Sequence, residues 1–522
     1  MTRDAALATL HTAWLAGLMP AHQRFAHHLH PGPDQRLRAL LRKNRDTAMG
    51  RMFRFSSIST FEQYRRRVPI HDYDALAPFL VRARRAEPNV LTAEPIRFFE
   101  RSGGTSHEHT KLIPYTDTML RELQLATNPW LADLYLRHPR LIGRPAYWSL
   151  SPAAQGHRQT EGGLPIGLDD DTGFFDPLRR FVLARSMAVP TSVTRAPDMT
   201  TWRRETVAHL LACRNLGFVS VWSPTFLIAL LDHLRRDPPL DHPAVRPHAR
   251  HVEGALAGPR DGLGSRLWPE LAVISCWADG PSAGPAATLS TLFPEATLEA
   301  KGLLATEGVI TIPWGKDRLP TLAPSHLLEF LPAGAPTSTS TVLEDELEPG
   351  RDYSPVLTTG AGLYRYHLKD LVRCVGPRQV RFLGKLDLVG DLVGEKLDGH
   401  RVTHLVESLA QRLGLTLGPW LVTPRPSDSP STPPAYALLS ERDDLEPLAA
   451  ALEAALSEGH AYRYARELGQ LGPLTAHRVD DLGHRLLDEA TRQGQRLGDI
   501  KPLHFDPRPR WSALFGPAGG SA

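Results

Sequence analysis

The chain has 522 residues, of which 42% are hydrophobic and 22% charged, and its 60 Lys and Arg nearly balance its 57 Asp and Glu, giving a formal net charge of +3. This length exceeds what one hydrophobic core usually supports, so we expect at least two domains. The balanced charge argues against a protein dedicated to binding nucleic acid or a membrane surface.

The three cysteines, Cys213, Cys276 and Cys374, are far apart and show no zinc-ligand spacing, so we expect free thiols in a reducing compartment. No apolar run is long enough to span a membrane. We therefore expect a cytoplasmic protein. Its oligomeric state is not readable from the sequence.

The first part of the chain alternates helical and strand-like patterns. Helical periodicity covers residues 1–50 with an interruption at Pro31. The N-terminal segment is interpreted as an amphipathic helix rather than a signal peptide. Short helices follow to Leu91. Further strands are predicted at 95–102, 144–152, 216–224, 271–278, 308–313 and 326–332, and helices at 201–214 and 225–235. This alternation indicates α/β layers with partly parallel sheets.

The pattern changes near residue 385. The later segments are predicted as a helix at 400–413, a hairpin with strands at 417–424 and 435–440, helices at 443–457 and 459–468, and a last helical run at 481–497. We place the boundary near Asp387, between a large N-terminal α/β domain (1–386) and a small, mobile α+β C-terminal domain (387–522). The glycine-rich stretch about 385–390 suits a hinge.

A glycine- and hydroxyl-rich loop is the first candidate for chemistry. It consists of Ser102, Gly103, Gly104, Thr105 and Ser106, with Lys111 shortly after. Glycines allow close backbone approach to an oxyanion, and hydroxyl and N–H groups can then donate to it. The composition suits nucleotide phosphates, although the spacing is not that of a P-loop. Alone, such a cluster is more often a simple turn.

Three later residues have candidate roles that are individually weak. Glu307 follows Thr306 at a predicted turn into an apolar strand, where a carboxylate could hold Mg²⁺ against phosphate oxygens and Thr306 could donate to the phosphate, although a surface acid is the commoner case. Asp370 ends an aromatic, alternating segment and could accept hydrogen bonds from ribose hydroxyls, although a solvated acid at the end of a strand is as common a case. Lys501 stands alone before a proline, and a lone lysine is usually solvated.

Two other chemistries are weighed and set aside. His107, Glu108 and His109 have metal-ligand chemistry but no partner set, and they follow the glycine loop directly. Serines and histidines could form a hydrolase triad, but no G-x-S-x-G elbow supports one.

Taken in order, these motifs resemble the adenylate-forming (acyl/aryl-CoA synthetase-like) superfamily, and within it the Gretchen Hagen 3 (auxin-responsive) family of acyl acid amido synthetases, bacterial members above all. The resemblance runs over nearly the whole chain. It rests on VPIHDYDALAPFL (68–80), FERSGGTSHEHTKLIP (99–114), YWSLSPAAQGHRQTEGGLPIG (147–167), VWSPTFLIALLDHL (221–234), ISCWADGPSA (274–283), KGLLATEG (301–308), GLYRYHLKDLV (362–372) and FLGKLDLVGDLVGEKL (382–397).

The resemblance implies a role for each candidate position. It assigns the ATP phosphates to Ser102–Ser106, the α-phosphate and Mg²⁺ to Thr306 and Glu307, and the ribose to Asp370. Lys501 is similar to the C-terminal-domain lysine that reaches the adenylate site when the small domain rotates. The resemblance also places the adenine at Trp277 and Ala278 and the acyl group at Tyr147, Trp148, Ser223 and Phe226.

Three positions depart from the family pattern. Gly103 stands where a second serine is usual, Lys385 where an arginine is common, and Lys369 where a small residue usually precedes the ribose-binding acid. The first removes a hydroxyl donor and the others keep or add positive charge. These changes affect fine geometry more than the expected activity.

The function implied by the resemblance is two-step amide synthesis. A carboxylic acid would react with ATP to give acyl-AMP and pyrophosphate, and an amine, expected to be an amino acid, would then displace AMP. Thioester formation with coenzyme A or a carrier protein through the same adenylate stays open, as does a degenerate nucleotide-binding protein. The expected cofactors are ATP and Mg²⁺, with no nucleic-acid or membrane partner.

Overall fold

The computed structural model describes residues 3–102, 111–149, 159–167, 177–338, 340–386, 388–425, 433–492, 495, 497–508 and 511. Gly103–Ser106, the three residues 107–109 and Asp387 lie outside this range. The chain divides into two compact units, the first formed by Met1–Phe382 with Arg496–Asp499 and the second by Leu383–Gln495 with Ile500–Ala522. Each is described by itself.

Helices dominate the start of the first unit. They are α1 (Arg3–Ala26), α2 (Pro33–Asn44), α3 (Ala48–Met52), α4 (Phe61–Arg67) and α5 (Tyr73–Arg84). Pro33 begins α2 at a position where its missing N–H costs nothing, which explains the predicted interruption. Thr60 and Asp72 cap α4 and α5 with side-chain oxygens that accept backbone N–H groups.

A four-stranded parallel sheet forms one layer of this unit. Its strands, in spatial order, are β3 (Ala146–Trp148), β4 (Phe218–Ser220), β5 (Val273–Cys276) and β6 (Thr297–Ala300). The hairpin β1 (Phe98–Ser102) and β2 (Lys111–Tyr115) and the helix α6 (Asp117–Arg137) precede it. The crossover helices are α7 (Pro177–Ser186), α8 (Met199–Ala212), α9 (Pro224–Arg236), α10 (Ala249–Ala257), α11 (Leu263–Leu267) and α12 (Ala283–Leu292).

A second, antiparallel sheet follows. A small hairpin, β7 (Leu304–Ala305) and β8 (Gly308–Val309), leads into it. Its strands are β9 (Thr311–Trp314), β10 (Leu319–Leu322), β11 (Leu327–Pro332), β12 (Asp352–Thr358), β13 (Tyr366–His367), β14 (Asp370–Gly376) and β15 (Gln379–Lys385). They pair in the order β11-β12-β14-β15-β10-β9, with β13 beside β12.

Among the described residues of the first unit, two apolar clusters are prominent. One packs α2–α5 and the β1/β2 hairpin against the antiparallel sheet, with Tyr64, Phe99 and Phe330 fully buried. The other packs α1 and α6 on the parallel sheet around Trp14 and Phe218. Burying such side chains stabilises a fold by roughly 1.5–3 kcal/mol each.

The second unit has its own core. Its elements are β16 (Val389–Gly390), β17 (Leu397–Asp398), α13 (Gly399–Arg412), β18 (Trp420–Arg425), β19 (Ala435–Ser440), α14 (Glu446–Ser457), α15 (His460–Glu467), β20 (Thr475–Arg478) and α16 (Leu482–Arg492). The strands β18 and β19 are antiparallel, as predicted, and β20 joins β19 in parallel. Val406, Leu438 and Leu452 lie at the centre of its largest cluster.

Most predicted elements are confirmed within a few residues, and two differ. The predicted strand 308–313 is two strands, because the chain leaves the short β7/β8 hairpin at Ile310 before entering β9. The last helical run is described as helix over Leu482–Arg492, and Gln495, within the predicted range, is not helical. Among the described residues no helix is both long and apolar enough to cross a bilayer. All three cysteines are described, and none forms a disulfide.

Candidate functional site

In the sequence, the predicted phosphate loop comes between the strands of the β1/β2 hairpin. Its two flanking residues, Ser102 and Lys111, are opposite each other at the last pair of this antiparallel ladder. The neighbouring Leu112 N–H donates to the Tyr73 hydroxyl at 3.0 Å, and the Lys111 ammonium lies 5.8 Å from the Tyr73 ring centroid. The hairpin thus fixes the two residues that flank the loop. Gly103–Ser106 themselves lie outside the described residues.

Thr306 and Glu307 form the two-residue connection of the β7/β8 hairpin, whose last pair is Ala305 with Gly308. The Tyr115 hydroxyl, from the end of β2, donates to the Thr306 carbonyl at 2.7 Å. This contact ties the hairpin that carries Glu307 to the hairpin that carries the glycine loop. Ser102 and Glu307, which are 205 residues apart in the chain, are therefore neighbours in the fold.

Glu307 is the point on which the described polar groups converge. Its side chain is buried, and its Oε1 accepts from Ser102 Oγ and from the Tyr366 hydroxyl, each at 3.5 Å. Burial, together with the neighbouring Glu307 charge, raises the pKa of Tyr366 well above its usual value. Tyr366 therefore stays protonated and can donate to the carboxylate.

Tyr366 is the site residue that sequence reasoning missed. The strand-like alternation in GLYRYHLKD directed attention to its terminal Asp370, whereas the hydroxyl nearest Glu307 belongs to a tyrosine four residues earlier. That alternation was the available signal, because it puts every second aromatic residue on one face. His71 holds Tyr366 in place through a backbone bridge.

Asp370 begins β14 and is buried, unlike the solvated strand-end acid that was the alternative reading. The preceding Lys369 has φ +58°, in the left-handed region, and its ammonium donates to Asp72 Oδ2 at 3.3 Å. A side chain is strained at such a φ, which gives a physical reason for the small residue usual there in the family. The ribose role of Asp370 stays a prediction.

The adenine candidates, Trp277 and Ala278, directly follow β5 and are half-buried. The Trp277 N–H donates to the Trp222 carbonyl at 2.9 Å, and the two indole rings lie 5.9 Å apart. Both tryptophans thus stand beyond the carboxyl ends of adjacent parallel strands, the edge at which ligands bind in open α/β sheets. Their adenine role stays a prediction.

The acyl-pocket candidates lie in two places. Tyr147 and Trp148 belong to β3, with Tyr147 fully buried and Trp148 half-buried against Phe218, ring centroids 5.4 Å apart. Ser223 and Phe226 belong to the start of α9, where Ser223 Oγ lies 2.7 Å from Thr225 Oγ1.

Phe226 is fully buried and packs on Trp202, with 5.9 Å between ring centroids. This contact is what a core residue makes. The described contacts do not join these four residues into one set, and their acyl-binding role stays a prediction.

Lys501 is exposed and lies in the second unit, directly after Ile500. The predicted boundary near Asp387 falls close to the start of that unit at Leu383.

The described residues could bind Mg²⁺ only together with the phosphates of a nucleotide. Within the described ranges, no group of three or more His, Cys, Asp or Glu side chains could hold a metal ion. Mg²⁺ usually binds through one or two carboxylates with phosphate oxygens and water rather than in an all-protein cage. A single carboxylate such as Glu307 fits that arrangement.

Comparison with known proteins shows the family to which the chain belongs. The fold matches the solved structure of the GH3.15 acyl acid amido synthetase in complex with 2,4-DB, with a TM-score of 0.78 over 96% of this chain and 95% of the other at 19% identity. Models of the GH3 family N-terminal, central and C-terminal domains match residues 22–238, 320–384 and 400–505, together more than half of the chain. The chain belongs to the GH3 family.

Individual relatives are distant. The indole-3-acetic acid-amido synthetase GH3.3 of Arabidopsis thaliana is 22% identical over 434 residues, covering 72% of this chain and 71% of the relative. The human GH3 domain-containing protein is 33% identical over 191 residues, 34% of each chain. The predicted family and fold class are thus confirmed. Glu307 and Thr306 lie between the matched ranges, so their place in the site depends on the geometry above.

Proposed function

We propose that this protein is an ATP-dependent acyl acid amido synthetase. The carboxylate oxygen of an acid attacks the α-phosphorus of ATP, the bond to the β-phosphate oxygen breaks, and pyrophosphate leaves. An amine nitrogen, from an amino acid, then attacks the acyl carbon, loses a proton and displaces AMP. The convergence of Ser102 and Tyr366 on the buried Glu307 is the observation that carries this proposal.

The first step must bring a carboxylate to a polyanion, and this chain's residues can reduce that repulsion. Ser102 and Lys111, which are opposite each other at the end of the β1/β2 ladder, would supply donors to the phosphates that are fixed before the reaction begins. Mg²⁺, when bound by Glu307 and the phosphates, would neutralise charge that builds on the phosphate oxygens. The Tyr366 hydroxyl orients the Glu307 carboxylate for that role.

The nucleotide's other parts are assigned by position in the family. Asp370 would accept from the ribose hydroxyls, and Trp277 with Ala278 would contact the adenine. The burial of Asp370 supports this, because a buried carboxylate forms stronger hydrogen bonds than a solvated one.

The second step needs a different environment, in which the amine is admitted and water excluded. We propose that the small domain turns about the 385–390 hinge between the steps and that Lys501 reaches the adenylation site in one of the two states. The division of the chain into two units near this segment supports the proposal.

We propose an apolar or aromatic carboxylic acid as donor, an amino acid as acceptor, and a cytoplasmic location. The relatives' names support the substrate classes, since they describe amido synthetases of indole-3-acetic acid. The tryptophans near the carboxyl edge of the parallel sheet support an apolar donor.

A matrix of carboxylic acids against amino acids, with product mass as readout, tests the function. We expect pyrophosphate release to depend on the acid and an amide to form. The same acids are also offered with coenzyme A, and a thioester as the only product would reject amide synthesis. Absence of ATP–pyrophosphate exchange across the panel would favour a degenerate nucleotide-binding protein.

Lys501→Ala should slow adenylation more than it weakens ATP binding, because positioning counts most in the transition state. The measurement compares the exchange rate with the Kd of ATP from calorimetry. Lys316→Ala, at an exposed lysine of the first unit, is the control. Equal losses in rate and affinity would argue against a catalytic role for Lys501.

A further inference from the structure

A buried histidine lies against the hairpin that carries Glu307. His326 directly precedes β11 and is only 1% exposed. The edge of its ring faces Gly308, the residue after Glu307, so closely that a Cβ added at Gly308 would lie 2.7 Å from His326 Nε2 and 2.7 Å from Cδ2. Atoms in a folded protein do not approach so closely unless something shifts. The ring and the hairpin backbone are therefore packed with no room between them.

The residue before the histidine contacts the same strand. Ser325 Oγ donates to the Val309 carbonyl at 2.7 Å, so Ser325 and His326 together support both residues of β8. This support matters because each strand of the β7/β8 hairpin has only two residues. A two-stranded hairpin is marginally stable at best by itself, and one this short depends on the side chains that pack against it. The position of Glu307, in the two-residue connection, therefore depends on them as well.

An acidic side chain holds the histidine ring in place. His326 Nδ1 lies 3.1 Å from Oε2 of Glu122 on α6, and because a carboxylate only accepts hydrogen bonds, Nδ1 is the donor. A hydrogen bond to an ionised group is among the stronger ones in a protein. It fixes the rotation of the ring and keeps the Nε2 edge towards Gly308. The Arg36 guanidinium donates to the His326 carbonyl, which anchors the backbone at the same position.

Glu122 also contacts the segment that leads to Tyr366. Its Oε2 accepts from the Gly360 N–H at 2.8 Å, and Gly360 precedes Tyr366 by six positions. Gly360 packs closely on α6, because a Cβ there would lie 2.3 Å from Thr118 Cγ2. One carboxylate on α6 is therefore bonded to both segments that meet at Glu307: to the support of the β7/β8 hairpin through His326, and to the Tyr366 segment through Gly360.

We propose that His326 is a positioning residue for adenylation, fixed by Glu122, and that it acts on Glu307 through the backbone of Gly308. This inference rests on the proposed function and extends it to a residue behind the groups proposed to bind ATP and Mg²⁺. A shift of about 1 Å in a group that acts on the reacting atoms can slow a reaction on the order of 10²-fold. A ring that sets the position of the hairpin therefore influences the rate of the first step.

His326→Ala removes the ring and leaves room beside Gly308. In ATP–pyrophosphate exchange without amine, we expect kcat to fall about tenfold or more, while the KM of ATP and the KM of the acid change by less than about threefold. His11→Ala is the matched control, because it also removes a fully buried histidine from the first unit, one that contacts Ser186. It should lower stability but leave kcat unchanged. An unchanged kcat in His326→Ala would overturn the inference.

A double-variant cycle shows whether the effect passes through Glu307. In the Glu307→Gln background the carboxylate is already absent, so His326→Ala should cause little further loss of kcat. A structural defect that is independent of Glu307 would instead multiply the two losses. That result would reject a positioning role for His326.

Gly308→Ala tests the same contact from the other side. Its methyl group would clash with the fixed ring and displace the hairpin, so we expect kcat to fall. Combined with His326→Ala the methyl group has room, so the double variant should be faster than the product of the two single losses predicts. Multiplying losses would contradict the proposed contact. If circular dichroism shows that His326→Ala does not fold, Gly308→Ala alone decides, and an unchanged kcat in it overturns the inference equally.

Amide hydrogen exchange of the enzyme without ligands separates this inference from the proposed function. Peptides that cover residues 304–309 should take up deuterium faster in His326→Ala than in the wild type, and at the wild-type rate in His11→Ala. If no acid supports ATP–pyrophosphate exchange, the adenylating function is rejected, yet faster deuterium uptake at the hairpin would still show that His326 holds it. Wild-type deuterium uptake at the hairpin in His326→Ala would overturn the inference whatever the activity.

Discussion

Glu307 is a carboxylate that the fold keeps away from water yet supplies with hydroxyl groups. A buried carboxylate is tolerated only when hydrogen bonds or a cation stabilise its charge. The described donors, Ser102 Oγ and the Tyr366 hydroxyl, both stand at 3.5 Å, the long end of the hydrogen-bond range. Two long hydrogen bonds to a buried carboxylate are the geometry expected of a site that also binds a cation.

Removing the carboxylate or its tyrosine partner should reduce adenylation to different extents. We expect Glu307→Gln to lower the exchange rate by about 10²-fold or more, the loss typical for one preorganised electrostatic group, and Tyr366→Phe to lower it by roughly tenfold. Tyr64→Phe is the matched control, because it also deletes a buried hydroxyl, one that contacts Thr358 rather than Glu307. Circular dichroism verifies the fold. Exchange at the wild-type rate in Glu307→Gln would reject its proposed role.

The residues of this site could be foreseen individually but their contacts could not. Ser102, Thr306, Glu307 and Asp370 were found because small, hydroxylated and acidic residues stand at strand ends in the sequence. The contact of Ser102 with Glu307 joins positions 205 residues apart, and no local pattern encodes such a distance.

At the scale of elements, the segment 364–370 is held by a buried ion pair. The Arg365 guanidinium contacts Glu329 of β11 at 2.9 Å, and both side chains are almost fully buried. Arg365 also donates to the Val68 carbonyl at 2.8 Å. Arg365 itself has φ +49°, so the pair holds the backbone in a left-handed conformation directly before Tyr366.

Breaking this pair should be strongly destabilising. We expect Arg365→Met to lower the free energy of unfolding by about 3–5 kcal/mol, because the Glu329 charge would stay buried without its partner. Urea denaturation followed by fluorescence gives the value. Arg373→Met, at a largely exposed pair with Asp352, is the control and should cost less than about 1 kcal/mol.

The double variant Arg365→Met with Glu329→Leu distinguishes buried charge from lost packing. Because it removes both charges, we expect it to recover part of the loss. A double variant less stable than Arg365→Met would instead attribute the effect to hydrogen bonds with the neighbouring carbonyl groups.

At the scale of the whole molecule, the sequence predicts the layers of helices and sheets better than it predicts which strands pair with each other. Apolar strand runs such as 271–278 between helical segments predicted a parallel sheet, because parallel strands are buried on both faces and read as continuous apolar stretches. The strand order of the antiparallel sheet could not be predicted in the same way. Its order places β15 beside β10 and β14 beside β12, and such long-range pairing follows from packing rather than from local sequence.

Each unit also contains a histidine, fully buried His11 in the first and nearly buried His504 in the second, that should make its stability depend on pH. Burial lowers the pKa of His11, in the first unit, and of His504, in the second, to about 4 in each case. In the unfolded chain the value is near 6.5, so the unfolded state binds more protons between these limits. Stability is therefore complete above about pH 6.5 and falls as the pH drops towards 4.

We expect each histidine to reduce the free energy of unfolding of its unit by about 2 kcal/mol between pH 7.5 and pH 5. Urea denaturation at the two pH values, in wild type and His11→Gln, measures the contribution of the first unit. The glutamine does not titrate, so this variant should be less stable at pH 7.5, where it loses contacts to Ser186 and Gly143, but should lose less on acidification. His27→Gln, at an exposed residue just past α1, should keep the wild-type pH dependence. An unaltered pH dependence in His11→Gln would show that His11 does not take up the proton.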